Sequence, residues 1–155
     1  RSSPPGSPPR DFYVWRDDVS DAAQGAAEGA KHWTWDEEAR SYYRHHFAAH
    51  QPDLNYRNPL VIAEMTGVLK FWAAKGLDGL CLNGASLLLE REGSQTRSLQ
   101  ETRAVIRKFR DDVRAEHPQC VVQAGLNAAP DEAIEYFHNA QCELVPHVPL
   151  AQRLF

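Results

Sequence analysis

The sequence predicts an α/β fold, with parallel strands joined by helical crossovers. Two observations carry it. From residue 58 onward, stretches with apolar residues at helical spacing alternate with short apolar runs, in the order helix, strand, helix, strand, helix, strand. The helical stretches are also bounded by start and stop residues: Asn58-Pro59, Ser98 with Glu101, and Pro130 at the openings, Gly76 and Pro118 at the ends.

Each element has its own warrant. Residues 1–10 are Ser, Pro and Gly with an Arg at each end, the composition of a loop or tether. Phe12 to Trp15 is a short strand candidate, and residues 16–31 read as a loop with one helical turn at most. Trp33 to Trp35 and Tyr42 to Phe47 are aromatic and suit two further strands. Residues 1–57 thus form a small, irregular, aromatic-rich subdomain, and residues 58–155 a series of β/α units.

In the second part, Asn58 caps a helix with Pro59 at its first position. Val61, Met65, Val68, Leu69 and Trp72 fall on one face of it, and Gly76 ends it. Leu77 to Leu82 reads as a buried strand. Ser98 and Glu101 form a capping box ahead of a helix with Val105, Ile106, Phe109 and Val113 on one face. Cys120 to Ala124 is a second buried strand. Pro130 opens a third helix, with Asp131 and Glu132 where acidic groups suit the dipole. Leu144 to Val148 is a third strand, weakened by Pro146 and Pro149. In folds of this kind the site lies at the C-terminal ends of the strands, so the loops after Leu82, Ala124 and Val148 are the ones that matter.

Composition excludes several classes. With 43% hydrophobic and 25% charged residues the chain is an ordinary globular one. Its 17 basic and 21 acidic side chains leave a net charge of −4, which argues against nucleic acid or an anionic membrane as partner. No apolar run approaches the roughly 20 residues of a membrane-spanning helix, and the start has no signal-peptide pattern. Three cysteines, Cys81, Cys120 and Cys142, match no zinc spacing and fit reduced thiols in a cytoplasm. A first residue of Arg rather than Met fits a piece of something longer.

The string Gln51-Pro52-Asp53-Leu54-Asn55, just ahead of a helix, resembles the oligo-1,6-glucosidase and trehalose synthase branch of the alpha-amylase superfamily. Asp11 to Trp15, Trp33 to Asp36 and Tyr42-Tyr43 are similar to that family's inserted B domain. Phe71-Trp72 and Gly76 to Gly79 resemble the approach to its fourth barrel strand. Glu90 to Gly93, Glu135 to Phe137 and Pro149 to Phe155 resemble trehalose synthases in particular. The resemblance implies a partial (β/α)8 barrel, about strands 4 to 6, with part of the inserted subdomain in front.

It also implies a chemistry. Trehalose synthases interconvert maltose and trehalose as retaining glycosidases do. One carboxylate attacks the anomeric carbon and a second carboxyl group protonates the leaving oxygen, the two lying about 5 Å apart. Aligned on the family strings, the nucleophile position is Asn83, the position of the arginine beside it is Cys81, and the acid position is Gly125. A neutral amide is a poor nucleophile and gives no charge to stabilise an oxocarbenium-like state. Glycine has no proton to give, and cysteine cannot replace a bidentate guanidinium.

By the same resemblance a calcium site maps onto Asp53, Glu90 and the backbone carbonyls of Leu87 and Leu88, hard oxygen donors that suit the ion. In the alternative reading Asp53 caps a turn and Glu90 is solvated. No organic cofactor is implied. His45, His46 and His50 could ligate a metal or be ordinary part-buried side chains. Trp33, Trp35, Tyr42 and Tyr43 could stack a sugar or pack a small subdomain. Arg103, Arg107, Lys108, Arg110 and Arg114 read as the solvated outer face of their helix.

The expected role is a catalytically inactive trehalose-synthase-like fragment, with maltose, trehalose or glucose as residual ligands. The alternatives are a module that docks on an intact homologue, and a part of a longer active enzyme that uses other residues. Self-association is expected too, because Leu80, Leu82, Val122 and Ala124 are read as a barrel-interior face left without its covering strands.

Overall fold

The computed structural model describes residues 7–19, 32–89, 100–126, 130–137 and 141–146. The chain divides into two compact units, Arg1–Val61 and Ile62–Phe155.

In the first unit, the expected tether gives way to a short helix, α1, Pro8–Asp11, started by two prolines that pre-set its backbone. The buried Arg10 anchors it: its guanidinium donates to Ser41 Oγ at 2.7 Å and to Ala39 O at 3.3 Å, and sits 4.8 Å over the Trp15 ring. Tyr13 N still donates to Arg10 O, so the turn of α1 runs on through Phe12, and Val14 pairs irregularly, its N–H donating to Asp53 O and its carbonyl accepting from Arg44 N. The strand expected over Phe12 to Trp15 therefore begins only at Trp15: β1 is Trp15–Arg16, and Tyr13 keeps an isolated bridge to Leu54.

Two more strands, β2 (Trp33–Asp36) and β3 (Ser41–Arg44), complete an antiparallel sheet in the order β1-β3-β2. Asp36 pairs with Ser41, so residues 37–40 form a four-residue hairpin loop. Asp36 Oδ1 accepts from Ala39 N at 2.8 Å, and Arg40 takes a left-handed φ of 48° to close it. Strand β3 stops at Arg44, short of the expected Phe47. Phe47 is 70% exposed, so a longer strand would have no face to pack there.

Helix α2 spans Pro59–Ala74. Its cap is as expected: Asn58 Oδ1 accepts from Leu60 N at 2.9 Å. Gly76, at φ 90°, follows its end. The buried stripe differs from the expected one. Val61, Leu69 and Ala73 are buried at four- and eight-residue intervals, whereas Val68 and Trp72 are 45% and 48% exposed. Hydrophobic spacing marks a helix but does not choose between two adjacent apolar stripes on it.

Strand β4 (Gly79–Asn83) leads through a 3-10 turn, Ala85–Leu87, toward helix α3, Gln100–Glu116. Ser98, half of the expected capping box, lies outside the described residues. Val105, Ile106, Phe109 and Val113 are all buried on α3, as their spacing predicts. Strand β5 (Val121–Gly125) pairs in parallel with β4, in register from Gly79 opposite Val121 to Asn83 opposite Gly125. A short helix, α4, Pro130–Ile134, follows.

The core of the second unit gathers Ala85, Ile106, Ala124, Leu126, Tyr136 and Cys142, with Leu82, Leu88 and Val145 against it. Leu82 and Ala124 thus belong to the cluster containing Ile106 of α3. Val122 and Ala124 are both fully buried. The expectation that Leu80, Leu82, Val122 and Ala124 face an empty barrel interior is therefore corrected. Strand alternation puts them on the packed face and leaves Gly79, Cys81 and Asn83 exposed on the other. For the same reason β4 is not buried on both faces.

The third strand expected over Leu144 to Val148 is, among the described residues, one isolated parallel bridge between Gln123 and Leu144. Pro146 has no N–H to extend it. A carboxylate fixes this segment instead. Glu143 Oε1 accepts from Arg110 Nε and, at 2.7 Å, from an Arg114 guanidinium N–H, while Oε2 accepts from Val122 N at 2.8 Å. The arginines expected on a solvated face are in part structural. Burial alone would raise the Glu143 pKa, but the hydrogen bonds from Arg110, Val122 N–H and Arg114 outweigh it and hold the group below the usual carboxylate range.

A folded-state pKa below the unfolded one gives stability that is present above the unfolded value and is lost as pH falls through the folded one. An acid titration of the melting transition should therefore show a loss below about pH 4.3, the ordinary glutamate value. Glu143→Gln should flatten that limb and cost on the order of 1 kcal/mol at pH 7. An unchanged acid limb would show that Glu143 is not the group responsible.

Candidate functional site

The parallel register of β4 and β5 sets the geometry at their C-terminal ends. Residues alternate between the two faces, so Gly79, Cys81 and Asn83 share one face of β4, and Val121, Gln123 and Gly125 the matching face of β5. Cys81 stands opposite Gln123, and Asn83 opposite Gly125. The three positions singled out in the sequence, Cys81, Asn83 and Gly125, are thereby brought together at one place. Cys81 Sγ donates to Asn83 Oδ1 at 3.4 Å, a weak thiol bond. Gln123 was missed. Its signal was two-residue spacing from Gly125, which marks it as a polar side chain on the same face.

No carboxylate or imidazole stands on this face of either strand among the described residues. Hydrogen-bonding groups are present: a thiol and two amides. These can donate to or accept from a sugar hydroxyl, but they cannot supply a carboxylate nucleophile or a general acid.

Asp53 Oδ1 accepts from His46 N at 3.0 Å, and its Oδ2 lies 3.5 Å from Arg44 Nε. Leu87 closes the 3-10 turn and Leu88 follows it, while Glu90 lies outside the described residues. The histidines do not converge. His45 is buried with Nε2 3.0 Å from Thr34 Oγ1, His46 stacks on His32 at 5.2 Å between ring centroids, and His50 is exposed. They also lie beyond the end of β3. Among the described residues no group of three or more His, Cys, Asp or Glu is placed to hold a metal ion.

The aromatic residues are largely structural. Tyr43 is buried with its hydroxyl donating to Ala49 O at 2.7 Å, and Trp33 lies beneath the guanidinium groups of Arg16 and Arg44. Trp35, 40% exposed and edge-on to Tyr42, keeps an open face.

Parallel strands with a helical connection and functional positions at their C-terminal ends define a piece of a β/α enzyme domain. The chain belongs to the alpha-amylase family: the model of the alpha amylase catalytic domain matches residues 1–151. It is 38% identical over 161 residues to a trehalose synthase/amylase of Mycolicibacterium smegmatis, covering 97% of this chain and 27% of that protein. It is 35% identical to a trehalose synthase of Thermus thermophilus, covering 97% of this chain and 16% of that one. The chain thus spans about a quarter or less of the length of these two relatives. Among solved structures, an isomaltulose synthase mutant from Erwinia rhapontici in complex with sucrose superposes with a TM-score of 0.78 at 23% identity, over 98% of this chain and 30% of that one. A trehalose-6-phosphate hydrolase of Bacillus licheniformis gives 0.74 at 21% identity, over 93% and 29%. No helix of the described residues is long and apolar enough to cross a membrane.

The thiols offer a direct check on the two faces. Cys81 is exposed, whereas Cys120 and Cys142 are buried and burial pushes both thiols up in pKa. Ellman's reagent on the native protein should titrate one thiol quickly and the other two only after denaturation. Three fast thiols would show that the face carrying Val122 and Ala124 is open.

Proposed function

We propose that this chain is a trehalose-synthase-like part of an alpha-amylase catalytic domain, about strands 4 to 6 of its barrel, that does not itself catalyse glycosyl transfer. The observation that carries the reading is the trio Cys81, Asn83 and Gly125 at adjacent strand ends, where the family resemblance calls for an arginine, a nucleophilic aspartate and an acidic glutamate. Retaining chemistry needs two carboxyl groups on opposite sides of one glycosidic bond. Neutral amides and a thiol neither stabilise an oxocarbenium-like centre by charge nor protonate the leaving oxygen. The names of its relatives supply the substrate class, disaccharides of glucose such as maltose and trehalose, as residual ligands of the strand-end face. The thiols, with none disulfide-bonded, suit a reducing cytoplasm.

Incubation with maltose, followed by chromatography, should yield no glucose or trehalose above a heat-inactivated control. Turnover clearly above that control would overturn the reading and favour the alternative, an active part of a longer enzyme that uses other residues.

A second reading, docking on an intact homologue or self-association, draws on helix α2. Val68, Phe71 and Trp72 are each about half exposed on it. Sedimentation of the purified chain, alone and with an intact trehalose synthase, separates a monomer from either assembly.

Calcium is proposed at Asp53, Glu90 and the carbonyls of Leu87 and Leu88, on the ground that these are hard oxygen donors. The fit at Asp53 is partial. Its carboxylate already faces the Arg44 guanidinium, and a divalent cation there must compete with that charge. Millimolar calcium should raise the melting temperature by mass action, and Asp53→Ala should abolish the shift. No shift, or an equal one in the variant, removes the site.

A further inference from the structure

Asn83 links the other two positions: Cys81 Sγ donates to its Oδ1, and Gly125 stands opposite it at close quarters. A Cβ built with ideal geometry on Gly125 would lie 2.9 Å from Asn83 Oδ1, 3.1 Å from Asn83 Cα and 3.1 Å from Leu82 O. Two of those atoms are backbone, so the crowding is more than one movable side chain. At the other end of the same strand pair the approach is looser: a Cβ on Gly79 would meet Val121 O at 3.3 Å. A side chain would therefore be more crowded at Gly125 than at Gly79. Glycine is the residue that allows such an approach of one backbone to another.

We infer that Cys81, Asn83 and Gly125 form one contact unit, in which each residue type depends on the others. Gly125 lets the strand ends close. The Asn83 amide occupies the space that a side chain at position 125 would enter. The Cys81 thiol, donating to Asn83 Oδ1 at 3.4 Å, holds the amide there. The three changes are then not independent losses, and restoring one alone meets a steric cost set by the other two. A carboxyl pair about 5 Å apart cannot be rebuilt by changing position 125 while Asn83 keeps this orientation. The inference deepens the reading of a site without its carboxylates, and it holds whether or not the chain turns over sugar, because it concerns packing alone.

A double-mutant cycle read by thermal melting tests it. Gly125→Ala should lower the melting temperature by about 3 °C, the shift that about 1 kcal/mol produces in a chain of 155 residues. In an Asn83→Ala background the same change should cost measurably less, since the 2.9 Å contact is gone, while the two backbone contacts keep part of the cost. Gly67→Ala is the control. A Cβ there meets nothing within 4 Å, so the usual helix preference for Ala over Gly should raise the melting temperature. Should Gly125→Ala fail to fold, refolding of the Asn83→Ala/Gly125→Ala chain supports the unit. Should neither fold, the Asn83→Ala single variant decides. Freed from its acceptor, Cys81 should react with Ellman's reagent several-fold faster than in the parent. Additive losses in the cycle, or, where the cycle cannot be completed, an unchanged Cys81 rate, would overturn the inference.

Discussion

The second unit depends on the in-register parallel pairing of β4 with β5. Because side chains alternate along each strand, one register decides two things together. It sends Leu82 and Ala124 into the cluster with Ile106, Tyr136 and Cys142, where each large buried side chain stabilises by about 1.5–3 kcal/mol. It also sends Cys81, Asn83, Gln123 and Gly125 to the opposite face. A slip of one residue would exchange the two sets, stripping the core and burying an amide and a thiol. Glu143 reinforces the pairing from outside, since the carboxylate that takes Val122 N–H also takes two arginines of α3.

Much of this architecture was legible in the sequence. Caps and breakers located the elements well: Asn58 does cap α2, Gly76 does follow its end, and Val105, Ile106, Phe109 and Val113 do form the buried stripe of α3. Patterning did less well where two answers fit equally. On α2 both Leu69 and Val68 suit a helical face, and only the packed structure selects Leu69. In the first unit the aromatic runs announced strands but not their limits. Those limits come from hydrogen bonds over long sequence separations, such as Arg10 to Ser41, which no local pattern reveals.

The candidate site was legible in a different way. Cys81, Asn83 and Gly125 were found by their place in strings shared with a family, and only the register shows that they meet. Gln123, on the same face, was hidden because glutamine in an apolar run draws no notice until the face it occupies is known. The separation of faces lets the fold stay recognisable, at 38% identity to a trehalose synthase/amylase, whatever residues stand at the strand ends. The residues that hold the sheet against its helices are not the residues at the strand ends.

The two units differ in how far along the chain their pairings reach, and that difference bears on the time course of folding. The β2–β3 hairpin closes through four residues, aided by the Asp36 side chain and the left-handed Arg40. Turns of this kind form in microseconds. The β4–β5 pair must instead bring together Gly79 and Val121, with all of α3 lying between them. Closing a loop that long costs entropy before any contact returns it. The β2–β3 hairpin is then expected to order before the β4–β5 pair. The strand ends that carry Asn83 and Gly125 are expected to order after it.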